Sequence, residues 1–337
     1  MTIAEIAQRA GVSKTAVSRY LNNGYVSEEK KRRIRAVIEE TGYTPSRQAQ
    51  NLRRGSSQTI GVILPKIDSE SISRIVAGIS QVLEEKGFQL LLANTGNDIR
   101  REISYLEYFK NDQVDGILFI PTSLTRQHQQ AVVSSRVPIV LIGQKANYVS
   151  CVYHDEFSAA RELTEILIGS GRRHIAMLGV NHRDQAAGEA RYHGFAEALR
   201  ENGLKEVPAR IVQTDIHIDS GYEGCCKLLQ SCPETDAVLC ATDTIAIGAM
   251  RYIHESGREV PRDIALAGIG HNRMSEIIAP RLTTVHYYYK TCGAEAAKVL
   301  LQILGTGVDM HKQIQLGYRV IMQETTDQPA LNSDTAS

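Results

Sequence analysis

The sequence predicts two domains of unlike class, a small all-α helix-turn-helix head and a larger α/β body of two lobes built on parallel sheets. Three observations carry that prediction. The 337 residues have a formal charge of zero, yet residues 1–56 hold eleven Lys and Arg against five Glu, or +6, leaving 27 against 33, or −6, for residues 57–337. Apolar spacing in the head is helical, whereas the body alternates short apolar runs with amphipathic stretches. At roughly 270 residues the body is long for a single core, so two similar halves fit it better.

The head begins with Thr2-Ile3-Ala4-Glu5, a capping box in which hydroxyl and carboxylate satisfy each other's free backbone donors. Ile3, Ile6, Ala7 and Ala10 then recur at helical spacing until Gly11. Ser13 can cap a second helix with Val17 and Leu21 on its buried face, ended by Asn22-Asn23-Gly24. A third opens at Ser27, with Glu28 and Glu29 at its positive end, and closes at Gly42 after Ile34, Val37 and Ile38. Thr44-Pro45 can start a fourth, running through Gln48 to Leu52. Its apolar side is almost only Ala49 and Leu52, too little to hold a short helix, so it reads as a linker that orders when something docks on it.

From Thr59 the rhythm is strand, helix, strand: Ile60–Leu64, Gln89–Ala93, Val114–Ile120, Ile139–Ile142, His174–Val180, Ile211–Gln213, Ala237–Cys240 and Ile264–Ile269. The expected division is a head at 1–45, a hinge helix and linker at 46–57, and a body at 58–329. Lobe 1 takes about 58–166 and 288–316, lobe 2 about 167–287 and 317–329, and 330–337 form a loose tail. An apolar content of 42% excludes a disordered or fibrous chain. Met1 is followed by a polar amphipathic segment, and no run of about 18 apolar residues occurs, so a soluble cytoplasmic protein without membrane contact is expected. Cys151, Cys225, Cys226, Cys232, Cys240 and Cys292 show no CxxC spacing, so buried free thiols are expected and neither a metal nor another cofactor is called for. No GxSxG, phosphate loop or HExxH suggests an enzyme, and the ten histidines are scattered.

The head carries an ordered string: Ile3-Ala4-Glu5-Ile6-Ala7, Ala10-Gly11-Val12-Ser13, Val17-Ser18-Arg19-Tyr20-Leu21-Asn22, Gly42-Tyr43-Thr44-Pro45-Ser46 and Ala49-Gln50-Asn51-Leu52. With Gln113-Val114-Asp115-Gly116-Ile117, Ala241-Thr242-Asp243-Thr244-Ile245-Ala246 and Pro280-Arg281-Leu282-Thr283-Thr284-Val285, it resembles the LacI/GalR family of bacterial transcription regulators over all but the tail. The resemblance implies a periplasmic-binding-protein-like body, a homodimer on pseudo-palindromic double-stranded operator DNA, and a small-molecule sugar effector between the lobes. Ile142-Gly143-Gln144, Cys151-Val152-Tyr153-His154-Asp155 and His286-Tyr287-Tyr288-Tyr289-Lys290 are similar to a subgroup of sucrose-operon repressors, which implies sucrose or a related saccharide.

On the second helix, Val17 and Leu21 are committed to the core, so Lys14, Thr15, Ser18 and Arg19 point outward, where a helix in the major groove reads bases. By resemblance Lys14, Thr15 and Arg19 face bases, while Ser13, Ser18 and Asn22 position the protein on the phosphate backbone. Leu52 is expected to wedge into the minor groove beside its symmetry mate, with packing on the body as the alternative. For the effector the resemblance singles out Arg191 and Asp155, with Ser71, Ile72, Gln144, Ile216, Asp243 and Tyr287 near further contact positions. Asp155 and Asp243 each precede a helix and can equally be N-caps, while for Arg191, the leading candidate, the alternative is a surface helix arginine. Where many family members have Gly-aromatic-Asp-Asp, this chain has Gly268-Ile269-Gly270-His271-Asn272; His271 reads as structural or solvent-facing, with a substitute polar group for the effector as the alternative. The expected function is a repressor of a carbohydrate-utilisation operon. The alternatives are a global catabolite regulator controlled by a phosphorylated carrier protein and, from another class, a soluble sugar-binding protein or enzyme.

Overall fold

In a computed structural model of the chain, residues 1–22, 24–43, 56–111 and 114–326 are described. The expected fourth helix with Leu52, and the tail, lie outside those residues. The chain separates into two units, Met1–Gln58 and Thr59–Ser337.

The first unit holds α1 (Ile3–Ala10), α2 (Lys14–Leu21) and α3 (Glu28–Thr41) around Ile6, Val17 and Ile34, all fully buried. The capping box forms as read: the Thr2 N–H donates to Glu5 Oε2 at 3.0 Å and the Glu5 N–H to Thr2 Oγ1 at 3.3 Å. Gly11 ends α1 with φ +60° and Gly42 ends α3 with φ +61°, left-handed positions that favour glycine. Ser27 stands at the N-cap of α3 without a side-chain hydrogen bond.

The second unit opens with β1 (Thr59–Leu64), α4 (Glu70–Glu85), β2 (Gln89–Asn94), α5 (Ile99–Phe109), β3 (Gly116–Phe119), α6 (Arg126–Val133), β4 (Ile139–Ile142) and β5 (Ser150–His154). It crosses to α7 (Glu156–Gly169), β6 (Ile175–Gly179), α8 (Arg191–Glu201), β7 (Ile211–Gln213), α9 (Ile218–Ser231), β8 (Ala237–Cys240), α10 (Asp243–Glu255), β9 (Ala265–Ile269) and β10 (Thr283–Tyr287). It then returns for α11 (Tyr289–Thr306) and β11 (Gln313–Leu316) and crosses a third time to β12 (Tyr318–Ile321). Sheet 1 has the order β11-β5-β4-β3-β1-β2 and sheet 2 the order β12-β10-β9-β8-β6-β7, parallel except for β12 against β10.

Continuous apolar strands such as Ile139-Val140-Leu141-Ile142, buried at every position, sit between helices on both faces, as parallel sheets require. The expected lobe boundary at 166 is corrected. Ala159, Ala160, Leu163 and Leu167 of α7 share one core with Met177, Leu239 and Ala267 of sheet 2, so lobe 2 begins at Glu156. In lobe 1, α4 and α11 touch backbone to backbone: a Cβ on Gly78 would lie 1.9 Å from the Lys290 carbonyl oxygen, and one on Gly293 2.0 Å from that of Ile75. Five cysteines are buried thiols as expected, while Cys226 is half-buried. Among the described residues, no helix is long and apolar enough to cross a membrane.

Candidate functional site

Two regions gather the residues singled out in the sequence. The first is the outer face of α2. The Ser13 hydroxyl caps the helix, accepting from the Ala16 N–H at 3.2 Å, and Asn22 Nδ2 donates to the Ser18 carbonyl at 2.7 Å to close its last turn. Lys14, Thr15 and Arg19 are exposed and Ser18 is half-buried, while Val17 on the opposite side has no exposed surface. Tyr20 lies half-buried with its hydroxyl accepting from Arg35 Nε at 3.4 Å, which ties α2 to α3. The helix therefore presents two cations and two hydroxyls on a rigid support, a set able to donate to phosphates and to guanine edges.

The second region is the cleft between the lobes. Loops after β1 and β4, with the start of α4, bond those after β6, β7 and β9, so the C-terminal ends of the two sheets face each other. Gln144 Nε2 donates to Asp184 Oδ1 at 3.0 Å, and Lys66 Nζ lies 3.2 Å from His217 Nε2. Arg74 Nη1 donates to the His271 carbonyl at 3.0 Å, and the Arg273 N–H to Glu70 Oε2 at 3.0 Å.

Within lobe 2, Arg191 is buried rather than a surface residue. Its Nε donates to Glu156 Oε2 at 2.7 Å, its Nη1 donates to the Ala241 carbonyl, and its guanidinium lies 5.7 Å from the centre of the Tyr287 ring. The Tyr287 hydroxyl donates to the same Glu156 oxygen at 2.6 Å. Burial opposes ionisation of Glu156, but the adjacent guanidinium outweighs it and holds the carboxyl below its ordinary range. The π-helical turn Gln185–Ala190 delivers Arg191 inward, and Gly188 allows it, since a Cβ there would fall 2.2 Å from the Asn181 carbonyl oxygen.

Asp243, 1% exposed, accepts from the Thr284 hydroxyl at 2.5 Å and from the Asn272 N–H at 2.8 Å. It is not the helix cap: the Thr242 hydroxyl fills that place, accepting from the Ile245 N–H at 3.3 Å. Burial pushes the Asp243 carboxyl up to about 6. Asp155, by contrast, is a cap, accepting from the Ser158 N–H at 3.1 Å at the start of α7. Among the candidate residues of this cleft and their neighbours, Gln144 Oε1 and His154 Nε2 are buried polar atoms without a hydrogen-bond partner. His154 packs 4.6 Å from the Tyr287 ring, and burial lowers its pKa to about 4.

Arg191 and Tyr287 thus meet at Glu156, and Gln144 spans the cleft to Asp184. Ile72 is turned into the lobe 1 core, the Ser71 hydroxyl lies 3.0 Å from that of Ser69, and Ile216 is exposed in the loop after β7. His271 is bonded rather than solvent-facing, its Nε2 2.5 Å from Glu276 Oε1 and its Nδ1 3.0 Å from His286 Nδ1. Sequence reasoning missed Glu156, Asp184 and His154. Glu156 directly follows the singled-out Asp155, but nothing local reveals that its partner lies 35 residues on.

A family model described as "Bacterial regulatory proteins, lacI family" matches residues 2–46, and one described as "Periplasmic binding protein-like domain" matches residues 164–326. The chain is 32% identical over 302 residues to the sucrose operon repressor of Staphylococcus xylosus, covering 90% of this chain and 93% of that one. Its fold matches the transcriptional regulator CelR–cellobiose complex with a TM-score of 0.75 and 27% identity, over 96% of this chain and 99% of that one. It also matches the lac repressor dimer bound to operator and the anti-inducer ONPF with a TM-score of 0.86 and 25% identity, over 97% and 99% of the two chains. Helix-turn-helix, two-lobed body and near full-length similarity agree: the chain belongs to the lacI family of bacterial regulatory proteins.

Proposed function

We propose that this chain is a dimeric repressor of a carbohydrate-utilisation operon, whose affinity for its operator is set by a small saccharide bound between the lobes. The observation that carries the proposal is one lacI-family chain joining an outward polar face on α2 to a cleft with buried polar groups, of which Gln144 Oε1 lacks a partner. In this reading Lys14, Thr15 and Arg19 contact base edges, and Ser13, Ser18 and Asn22 hold phosphates. Leu52 and its mate unstack a central base step, bending the duplex. The sugar lies against Gln144, Arg191, Asp243 and Tyr287, where fixed donors and acceptors suit a polyol. Sucrose heads the ligand panel because a sucrose operon repressor is among the relatives, and cellobiose follows from the CelR complex.

Selection from random duplexes should recover a pseudo-palindrome, and Leu52→Ala should weaken its binding while sparing the fold. Thermal-shift measurements with saccharides should find one that stabilises the protein, by about 2.7 kcal/mol at a hundred times its Kd, and that alters operator affinity. An asymmetric site would refute the dimer. A panel in which no saccharide shifts the melting would sink the effector assignment.

A further inference from the structure

Three successive residues at the rim of the cleft are bonded to both lobes. The His271 N–H donates to Thr284 Oγ1 at 3.2 Å, and that hydroxyl donates in turn to Asp243 Oδ1. The next N–H, of Asn272, donates to Asp243 Oδ2 at 2.8 Å. From lobe 1, Arg74 holds the His271 carbonyl and Glu70 holds the Arg273 N–H, each at 3.0 Å. Arg74 and Glu70 sit one turn apart on α4 and are joined to each other by a 2.5 Å bond. Backbone groups at 271 and 273 are therefore fixed by lobe 1, while the N–H groups of 271 and 272 are fixed by lobe 2.

Little in this segment can relax independently. Gly270 and His271 have φ of +135° and +50°, and both nitrogens of the His271 ring are bonded. Asp243 is confined as well, since a Cβ on Gly268 would lie 2.6 Å from its Oδ1. The geometry points to residues 271–273 as a strap that transmits the hydrogen-bonding state of Asp243 to α4, with Glu70 and Arg74 as its positioning residues. The inference rests on the proposed reading of Asp243 as part of an effector cleft and adds how occupancy is relayed. A ligand hydroxyl donating to Asp243 shares the two oxygens that already accept from Asn272 and Thr284, and drawing the carboxylate toward the ligand weakens those bonds. Release of Asn272 loosens the two flanking groups that α4 grips. The lobe that receives the signal carries β1, the first strand after the helix-turn-helix unit.

Amide hydrogen exchange at single-residue resolution, on the full chain without ligand, tests the strap. Asp243→Asn should lower protection about tenfold or more at Asn272 and also at Arg273, whose acceptor Glu70 is unchanged. Glu70→Gln should do the same at Arg273 and also at Asn272. Loss confined to the amide whose own acceptor was altered overturns the proposal. In a second arm, sucrose is titrated against protein on the selected operator. Arg74→Ala should keep sucrose affinity within about threefold yet lose about fivefold or more of the sucrose-dependent change in operator affinity, with Arg74→Lys recovering most of it. An unaltered response in Arg74→Ala also overturns the strap. Failure of sucrose to bind the wild type would count against sucrose as effector, while the exchange results still decide the strap.

Discussion

His154 shows how one side chain near the crossing between lobes writes itself into stability. Its folded pKa of about 4 lies below the ordinary value of 6.5 because burial disfavours the charged ring. Between those values the unfolded chain binds the proton more readily, so the stabilisation is fully present above pH 6.5 and is lost as pH falls toward 4. His154→Gln, with no such proton to bind, should gain about 3 kcal/mol on the wild type between pH 7 and pH 4 in urea titrations. Parallel pH profiles would show that the ring is already solvated. Arg191 presents the complementary case, a buried cation paired with Glu156 at 2.7 Å. Arg191→Ala leaves that carboxylate buried without its partner, and removing one half of a buried pair costs about 3–5 kcal/mol. The expected outcome is a lower urea midpoint, retained operator binding where the variant is folded, and no response to saccharide. Unchanged induction would remove Arg191 from the effector site.

At the scale of elements, the contact of α4 with α11 depends on two glycines rather than on interdigitating side chains. Gly78→Ala forces a methyl onto the Lys290 carbonyl and should destabilise by about 1–3 kcal/mol or more, read from the denaturant midpoint. Gly305→Ala on α11 meets open space, and should stabilise by about 0.5 kcal/mol. Equal effects at the two sites would mean that helix propensity outweighs the close approach. The elements legible in the sequence were those whose local pattern matches their environment. Ile60–Leu64 and Ala237–Cys240 are buried on both faces and read as strands from apolar content. β5, β10, β11 and β12 did not, because Thr283-Thr284 and Gln313-Ile314-Gln315 mix polar residues into strands at or next to a sheet edge. These strands adjoin the crossings between lobes, and the sequence pattern puts the boundary about ten residues later than the shared core of α7 and sheet 2 does. Candidate site residues followed the same division. The outward placement of Lys14 and Arg19 is readable from the periodicity of one helix, whereas Glu156 and Asp184 are tied to partners on distant elements.

Over the whole molecule, charge is partitioned between +6 in residues 1–56 and −6 beyond them. Operator affinity should therefore fall with salt on account of the head, and Lys14→Ala, which removes a proposed base contact, should weaken operator binding by about 1–3 kcal/mol. Lys298→Ala, which removes an exposed lysine paired with Glu295 in the body, should leave operator affinity unaltered in fluorescence anisotropy. Equal changes would place DNA on the body as well. The repeated passage of the chain between sheets bears on how the protein is made. Sheet 1 holds both β1, Thr59–Leu64, and β11, Gln313–Leu316, so lobe 1 cannot complete itself until residue 316 has left the ribosome. The three head helices, contiguous within the first 41 residues, face no such delay. A nascent chain thus has a finished helix-turn-helix well before either lobe is whole, and a premature stop near residue 300 strips lobe 1 of its β11 edge and lobe 2 of its β12 edge at once.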